Sequence, residues 1–259
     1  MKQWRLCTLA HLLIVLTPEG NGFQCQIIIK ECFFMSSVSR SSISTKTITS
    51  VAMLTGVAYI VMLCSKLLPS VNGFLDFDFK DVVICIGGFT YGPTVAALIS
   101  VLVAFIEFIT VSGTGPIGFI MNALATCSFC CTASLVYKKR HTKGGAIWGL
   151  SLGVVCLVSV MLLWNYLITP VYQNVPREVV VKMLPTVFLP FNLAKGGMNM
   201  AATLLLYKPI VTALRKAGLA PPSVGSQSGG KRFSAGFVLF SLALLGTFVT
   251  LALVLYGVI

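Results

Sequence analysis

Residues 82–110 read VVICIGGFTYGPTVAALISVLVAFIEFIT, an apolar stretch carrying a single charge, Glu107, near its end. A hydrocarbon core of about 30 Å takes roughly 20 apolar helical residues to cross. The stretch is too long for one crossing and is interrupted at Gly87-Gly88 and at Gly92-Pro93. It therefore reads as a short helix, a tight turn and a full helix opening at Pro93, a position where the missing N–H is harmless. The same apolar pattern recurs on both sides. Residues 48–67 come before it, and 117–137, 146–169 and 185–207 follow, which makes six helices. A seventh candidate, 233–259, lies beyond the Gly/Ser/Pro-rich linker 218–232. The expectation is an all-α integral membrane protein: a six-helix domain over 35–217 with a further transmembrane segment at its C-terminal side.

Composition agrees. Of 259 residues, 56% are hydrophobic and 10% charged, where a soluble chain carries about a quarter charged. A mean hydropathy of +0.92 cannot be hidden inside one or two soluble cores. Disordered, disulfide-stapled and soluble nucleic-acid-binding classes are excluded, although Lys+Arg 19 against Asp+Glu 7 gives a net charge of +12. The basic residues cluster instead. Arg40 and Lys46 precede the first helix, Lys138, Lys139, Arg140 and Lys143 join the fourth to the fifth, and Lys208, Arg215, Lys216, Lys231 and Arg232 follow the sixth. All fall on one side of a six-helix topology, which by the positive-inside rule is the cytoplasm. The opposite side receives the loop 68–81, the turn Ser112-Gly113-Thr114-Gly115 and the loop 172–183, and an odd seventh span would place Ile259 there. Residues 1–34 fit the scheme poorly. Lys2 and Arg5 before the apolar run 6–16 imitate a signal peptide, but the run is short and no small-residue cleavage site follows. Met35 opens a Ser/Thr-rich basic stretch, so 1–34 are expected to be an extension outside the folded unit.

Several chemistries lack their residues. Nine Cys are scattered, and the tight group Cys127, Cys130 and Cys131 sits in an apolar helix with no His beside it, so these read as small apolar side chains and no metal is expected. His11 and His141 lie outside the spans, and no HExxH occurs. Gly229-Gly230-Lys231-Arg232 lacks the spacing of a phosphate-binding loop. If the protein moves a solute uphill, ATP hydrolysis belongs to a partner.

Polar groups inside spans are costly and ask for a reason. In Pro190-Phe191-Asn192-Leu193-Ala194-Lys195-Gly196-Gly197-Met198-Asn199, the residues Asn192, Lys195 and Asn199 stand at i, i+3 and i+7 on one helical face. Lys195 needs an acceptor there: a carboxylate such as Glu107, the outer interface, or a bound polar solute. Trp164-Asn165-Tyr166 lies at similar depth, where Asn165 serves either a ligand or a neighbouring helix. The loop Leu75-Asp76-Phe77-Asp78-Phe79-Lys80-Asp81 alternates apolar and charged residues with period two. Such a segment can roof a pocket with its apolar face while its carboxylates meet water, or be a solvated edge; EF-hand spacing is missing. Ala52 and Gly56 form a small-xxx-small pair that lets another helix approach closely, though such pairs also arise by coincidence.

Together, Ala52-Met53-Leu54, the loop 75–81, Gly87-Gly88-Phe89, Tyr91-Gly92-Pro93, Tyr137-Lys138-Lys139-Arg140, Asn165-Tyr166 and Pro190-Phe191-Asn192-Leu193-Ala194-Lys195-Gly196 resemble the substrate-binding S component of energy-coupling factor (ECF) vitamin transporters. Within that family the riboflavin-specific branch is the most similar. The resemblance implies a six-helix membrane subunit that takes its vitamin from outside under the first loop. It then docks on an ECF module of one transmembrane coupling protein and two ATPases. It implies that Asn165, Asn192 and Lys195 hydrogen-bond the flavin ring, that Leu75, Phe77 and Tyr166 wall its apolar side, and that Ala52 and Gly56 dock the coupling protein. Glu107, Asn122, Gly113 and Thr114 complete the candidate set. Where relatives carry more polar residues, Val103-Ala104 and Phe119 stand here, leaving Glu107 and Asn122 as the main polar groups for the ribityl chain. Riboflavin is then the transported ligand, with no separate cofactor. The competing readings are the same fold with another vitamin, flavin analogue or queuosine precursor, a membrane enzyme working at the outer interface through Asp76, Asp78, Asp81 or Glu107, and a ligand-free scaffold.

Overall fold

The computed structural model describes residues 45–68, 75–111, 113–218 and 235–256. The extension 1–34, His11, Arg40, Ser112, most of the linker and Ile259 lie outside these residues. The regular elements are helices: α1 (Thr45–Ser65), α2 (Lys80–Tyr91), α3 (Pro93–Thr110), α4 (Gly115–Lys139), α5 (Lys143–Gln173), α6 (Arg177–Met183), a π-helical turn (Leu184–Phe188), α7 (Leu189–Lys216) and α8 (Ala235–Leu255).

Among the described residues, six helical runs are long and apolar enough to cross a membrane: α1, α3, α4, α5, the continuous α6 to α7 run, and α8. The short helix expected before Gly92-Pro93 is α2. Its twelve residues are too few to cross, and the positions from Lys80 to Phe89 are all buried, so it stands as a central strut. Gly92 makes the turn into α3 at φ 104°, a conformation that glycine adopts without steric cost.

Three boundaries differ from expectation, all at prolines. The fifth helix was expected to stop at residue 169, but α5 runs through Pro170 to Gln173 and ends on Asn174 in the left-handed region, φ 53°. The sixth helix was expected from Pro185, but it begins at Arg177 and passes Pro185 inside the π-helical turn. The same helix was expected to end at residue 207, but it runs on through Pro209 to Lys216 and so takes Lys208, Arg215 and Lys216 into the helix. The widened π-helical turn accommodates Pro185, which cannot supply a backbone N–H, while Pro170 and Pro209 are carried inside their α-helices without ending them.

The principal core joins α1 to α5 and α7 through Leu54, Ala58, Ile84, Ile99, Val103, Phe129, Leu150, Leu157 and Leu204. A second cluster gathers Leu75 and Phe77 of the first loop with Phe188, Phe191 and Met198 and with Ala252 of α8. Outward faces carry exposed Ile60, Leu98, Phe105, Ile109, Val155 and Leu239. Such an apolar exterior suits lipid tails, which solvate it as water cannot. The α8 helix runs antiparallel to α7: Phe237 lies near Tyr207 and Lys208, whereas Tyr256 at the far end meets Phe77.

Candidate ligand site

A cavity of about 440 Å³ opens between the first loop and helices α1, α3, α4, α5 and α7. This is within the range of about 300–1,000 Å³ usual for small-molecule pockets. Leu75, Phe77, Glu107, Gly113, Thr114, Asn122, Asn165, Asn192 and Lys195 all line it. Leu157, Met161, Phe191 and Tyr172 supply apolar wall that sequence reasoning did not single out.

Tyr166 is the exception. It is absent from the lining, and its ring carries the Arg177 guanidinium 5.4 Å from the centroid. One residue along a helix is a turn of about 100°, so with Asn165 facing the cavity its neighbour faces α6. The aromatic wall comes from Phe77, Phe191 and Tyr172 instead.

The two asparagines are held by their own helices. Asn165 donates from Nδ2 to the Met161 carbonyl, 2.8 Å, and accepts at Oδ1 from Thr169, 3.0 Å. Asn192 donates from Nδ2 to the Phe188 carbonyl at the end of the π-helical turn, 2.7 Å. An amide offers two donors and two lone pairs, so each side chain keeps hydrogen-bonding capacity beyond these anchors. Asn199, expected on the same face, sits deeper at 1% exposure and donates to the Asp78 backbone carbonyl, 2.9 Å. It therefore anchors the first loop. Among the described residues its buried Oδ1 has no hydrogen-bond partner.

The loop was expected to turn its carboxylates to water. Only Asp76 approaches this; Asp78 is 8% exposed and Asp81 1%. The reason is Lys80, itself 1% exposed. Its ammonium pairs with Asp78 and lies 3.0 Å from Glu107, and its backbone N–H donates to Asp78, 2.9 Å. Glu107 reaches on to Lys66 at 3.3 Å, and Lys66 to Asp76 at 3.6 Å near the rim. A buried charge persists only where it is paired and hydrogen-bonded, and this chain of ions meets that condition. Asp81 is served separately, accepting from Thr126 at 2.8 Å. Burial raises the Asp78 carboxyl, but the nearby Lys80 and Lys195 ammonium groups outweigh it and hold the acid below its ordinary range.

Glu107 is thus committed to Lys66 and Lys80. It does not pair with Lys195, which among the described residues lines the cavity with no ion pair of its own. Lys66, at the end of α1, and Asp76 and Asp78 also line the cavity. Nothing local marks them, because the network joins positions scattered from 66 to 107. Among the described residues no group of three or more His, Cys, Asp or Glu is placed to hold a metal. Ala52 and Gly56 lie on the exposed face of α1, and a Cβ at Gly56 would meet nothing within 4 Å.

Residues 46–211 match the family described as ECF transporter, substrate-specific component. The riboflavin transporter RibU of Staphylococcus aureus is 25% identical over 178 residues, covering 66% of this chain and 93% of that protein. The riboflavin transporter FmnP of Bacillus subtilis is 26% identical, covering 66% of this chain and 97% of the relative. A solved structure described as the S component of a bacterial ECF transporter aligns with a TM-score of 0.57 at 25% identity, over 66% of this chain and 98% of that one.

Proposed function

We propose that this chain, which belongs to the ECF transporter substrate-specific components, is a riboflavin-binding subunit that captures the vitamin in the cavity beneath the first loop. Membership makes it a multi-pass membrane transporter subunit that works with an ECF module, and not an enzyme. Riboflavin is the finer step. The observation that carries it is the pairing, in one cavity, of Asn165, Asn192 and Lys195 with an apolar wall of Leu75, Phe77, Leu157, Met161 and Phe191. The uracil-like edge of a flavin alternates carbonyl acceptors with an N–H donor. Amides match both, and a lysine adds a further donor. The dimethylbenzene side takes the apolar wall, and Asn122, Thr114 and the Gly113 backbone, with the lone pairs that Glu107 keeps beyond Lys66 and Lys80, line the same cavity as polar partners for the ribityl hydroxyls. The riboflavin transporters among the relatives support the same ligand.

The basic loops lie in the cytoplasm and the cavity opens outward. Loaded protein delivers its vitamin by docking the Ala52 and Gly56 face of α1 on the transmembrane coupling protein of a module that carries two ATPases. The decisive experiment is titration of the detergent-solubilised full chain with riboflavin while following flavin fluorescence. Saturable quenching is expected at micromolar flavin or below, and its absence overturns the ligand assignment.

A further inference from the structure

We infer that α8 is a brace for the roof of the ligand cavity, with Tyr256 and Phe248 as positioning residues that hold residues 75–79 closed over a bound ligand. The inference rests on the proposed role of that cavity and adds an element that the family match, ending at residue 211, does not include.

The seat of the brace is a notch in α7. A Cβ on Gly197 would lie 2.4 Å from the Phe248 ring, so only glycine leaves room for that ring against the helix. Gly197 is two residues from Lys195, which places Phe248 behind the ligand-facing wall. From this seat α8 continues to the cavity end of the bundle. There the Phe77 ring stands between Phe191, at 4.9 Å, and Tyr256, at 5.8 Å. Both separations are those of attractive aromatic pairs.

The roof is therefore pinned at two adjacent residues by different means. Phe77, 3% exposed, is held by apolar contacts to α7 and α8, and Asp78 by Lys80 and by Asn199. To lift the roof, Phe77 must leave both aromatic partners and expose its ring, which is unfavourable. The polar pins and Phe191 belong to the matched S-component unit; the Tyr256 contact is supplied by α8 alone. Its effect is to slow ligand release, since the ligand leaves through the opening that Phe77 covers.

The test uses the full chain and two independent readouts: amide hydrogen exchange of residues 75–79 without ligand, and riboflavin dissociation followed by recovery of flavin fluorescence. Tyr256→Ala is expected to speed exchange at 75–79 and to release riboflavin roughly 2- to 10-fold faster, the factor that one aromatic pair is worth. Tyr256→Phe keeps the ring that faces Phe77 and should stay closer to the unmodified protein than Tyr256→Ala in both readouts. Phe248→Ala loosens the seat and should act like Tyr256→Ala. Exchange in α4 and α5 should not change, which separates a loosened roof from general destabilisation. Unchanged exchange at 75–79 with unchanged release in both alanine variants would overturn the brace. Should the unmodified protein bind no riboflavin, the ligand assignment fails, and the exchange measurement alone decides for or against the brace.

Discussion

Replacing Lys80 with Met keeps the length and volume of a side chain that is 1% exposed and removes only its charge. The ammonium now faces two carboxylates, Asp78 directly and Glu107 at 3.0 Å. Removing one member of a buried ion pair costs about 3–5 kcal/mol, because the other charge is left uncompensated. Here neither carboxylate is wholly abandoned. Glu107 keeps Lys66 at 3.3 Å, and Asp78 keeps its hydrogen bond from the Lys80 backbone and the field of Lys195. The lower end, about 3 kcal/mol, is therefore expected. On a scale of about 2–4 °C per kcal/mol for 150–250 residues, that is a fall in melting temperature of about 6–12 °C. Thermal scanning of the detergent-purified protein reads it directly. A fall smaller than about 2 °C would show that the ion chain does not carry the stability assigned to it. The pair Lys80→Met with Glu107→Gln should recover much of the loss, since it leaves Lys66 to Asp76 and Asp78 to Lys195. Acid supplies a second check. The Asp78 carboxyl is held below its ordinary value of 3.8, so its contribution is complete above that pH and disappears as pH falls through the lower folded value. Lys80→Met keeps only the part of this contribution that Lys195 and the Lys80 backbone supply, so the gap between the two melting temperatures should stay constant from pH 7 to about 4 and narrow only as pH falls further.

Lys195→Ala should weaken riboflavin by about 2 kcal/mol, roughly 30-fold, the low end for a charge-assisted contact because the side chain is only half-buried; calorimetric titration that finds unchanged affinity removes Lys195 from the site. Tyr166→Ala should leave riboflavin affinity within about twofold in the same titration, since the ring faces Arg177 and not the cavity; a tenfold loss would return it to the binding wall. Gly56→Leu should leave riboflavin binding by the purified protein intact but block uptake in vesicles reconstituted with the ECF module, because a large side chain on the exposed face of α1 prevents close helix approach. Full uptake would move the docking face elsewhere.

The spans were legible because each is a local property. The break at Gly92-Pro93, the buried short helix before it and the crossing segments all follow from apolar run length and from residues that punctuate a helix. The polar face of Asn192 and Lys195 was legible for the same reason, its spacing being fixed by one helix. What the sequence hid was pairing between helices. Lys66 at the end of α1, Lys80 at the start of α2 and Glu107 near the end of α3 each have a plausible exposed reading, and only their convergence shows that they neutralise one another. The alternation in the first loop correctly marked Leu75 and Phe77 as inward. It misplaced Asp78, because a buried lysine drew the carboxylate in against the period. Tyr166 failed for a related reason: adjacency to Asn165 in sequence means a different direction on a helix.

The shortness of α2 sets how far a solute must be carried. Twelve residues span about 18 Å at about 1.5 Å each, against about 30 Å of hydrocarbon. Phe89 at its far end lies beside Tyr137, His141 and Lys208, so the missing length, about 12 Å, falls on the cavity side. The barrier is thus locally thinned from one face. Under the proposed function, a ligand held above Lys80 would rest where α2 does not fill the hydrocarbon layer, with correspondingly less of that layer left to cross.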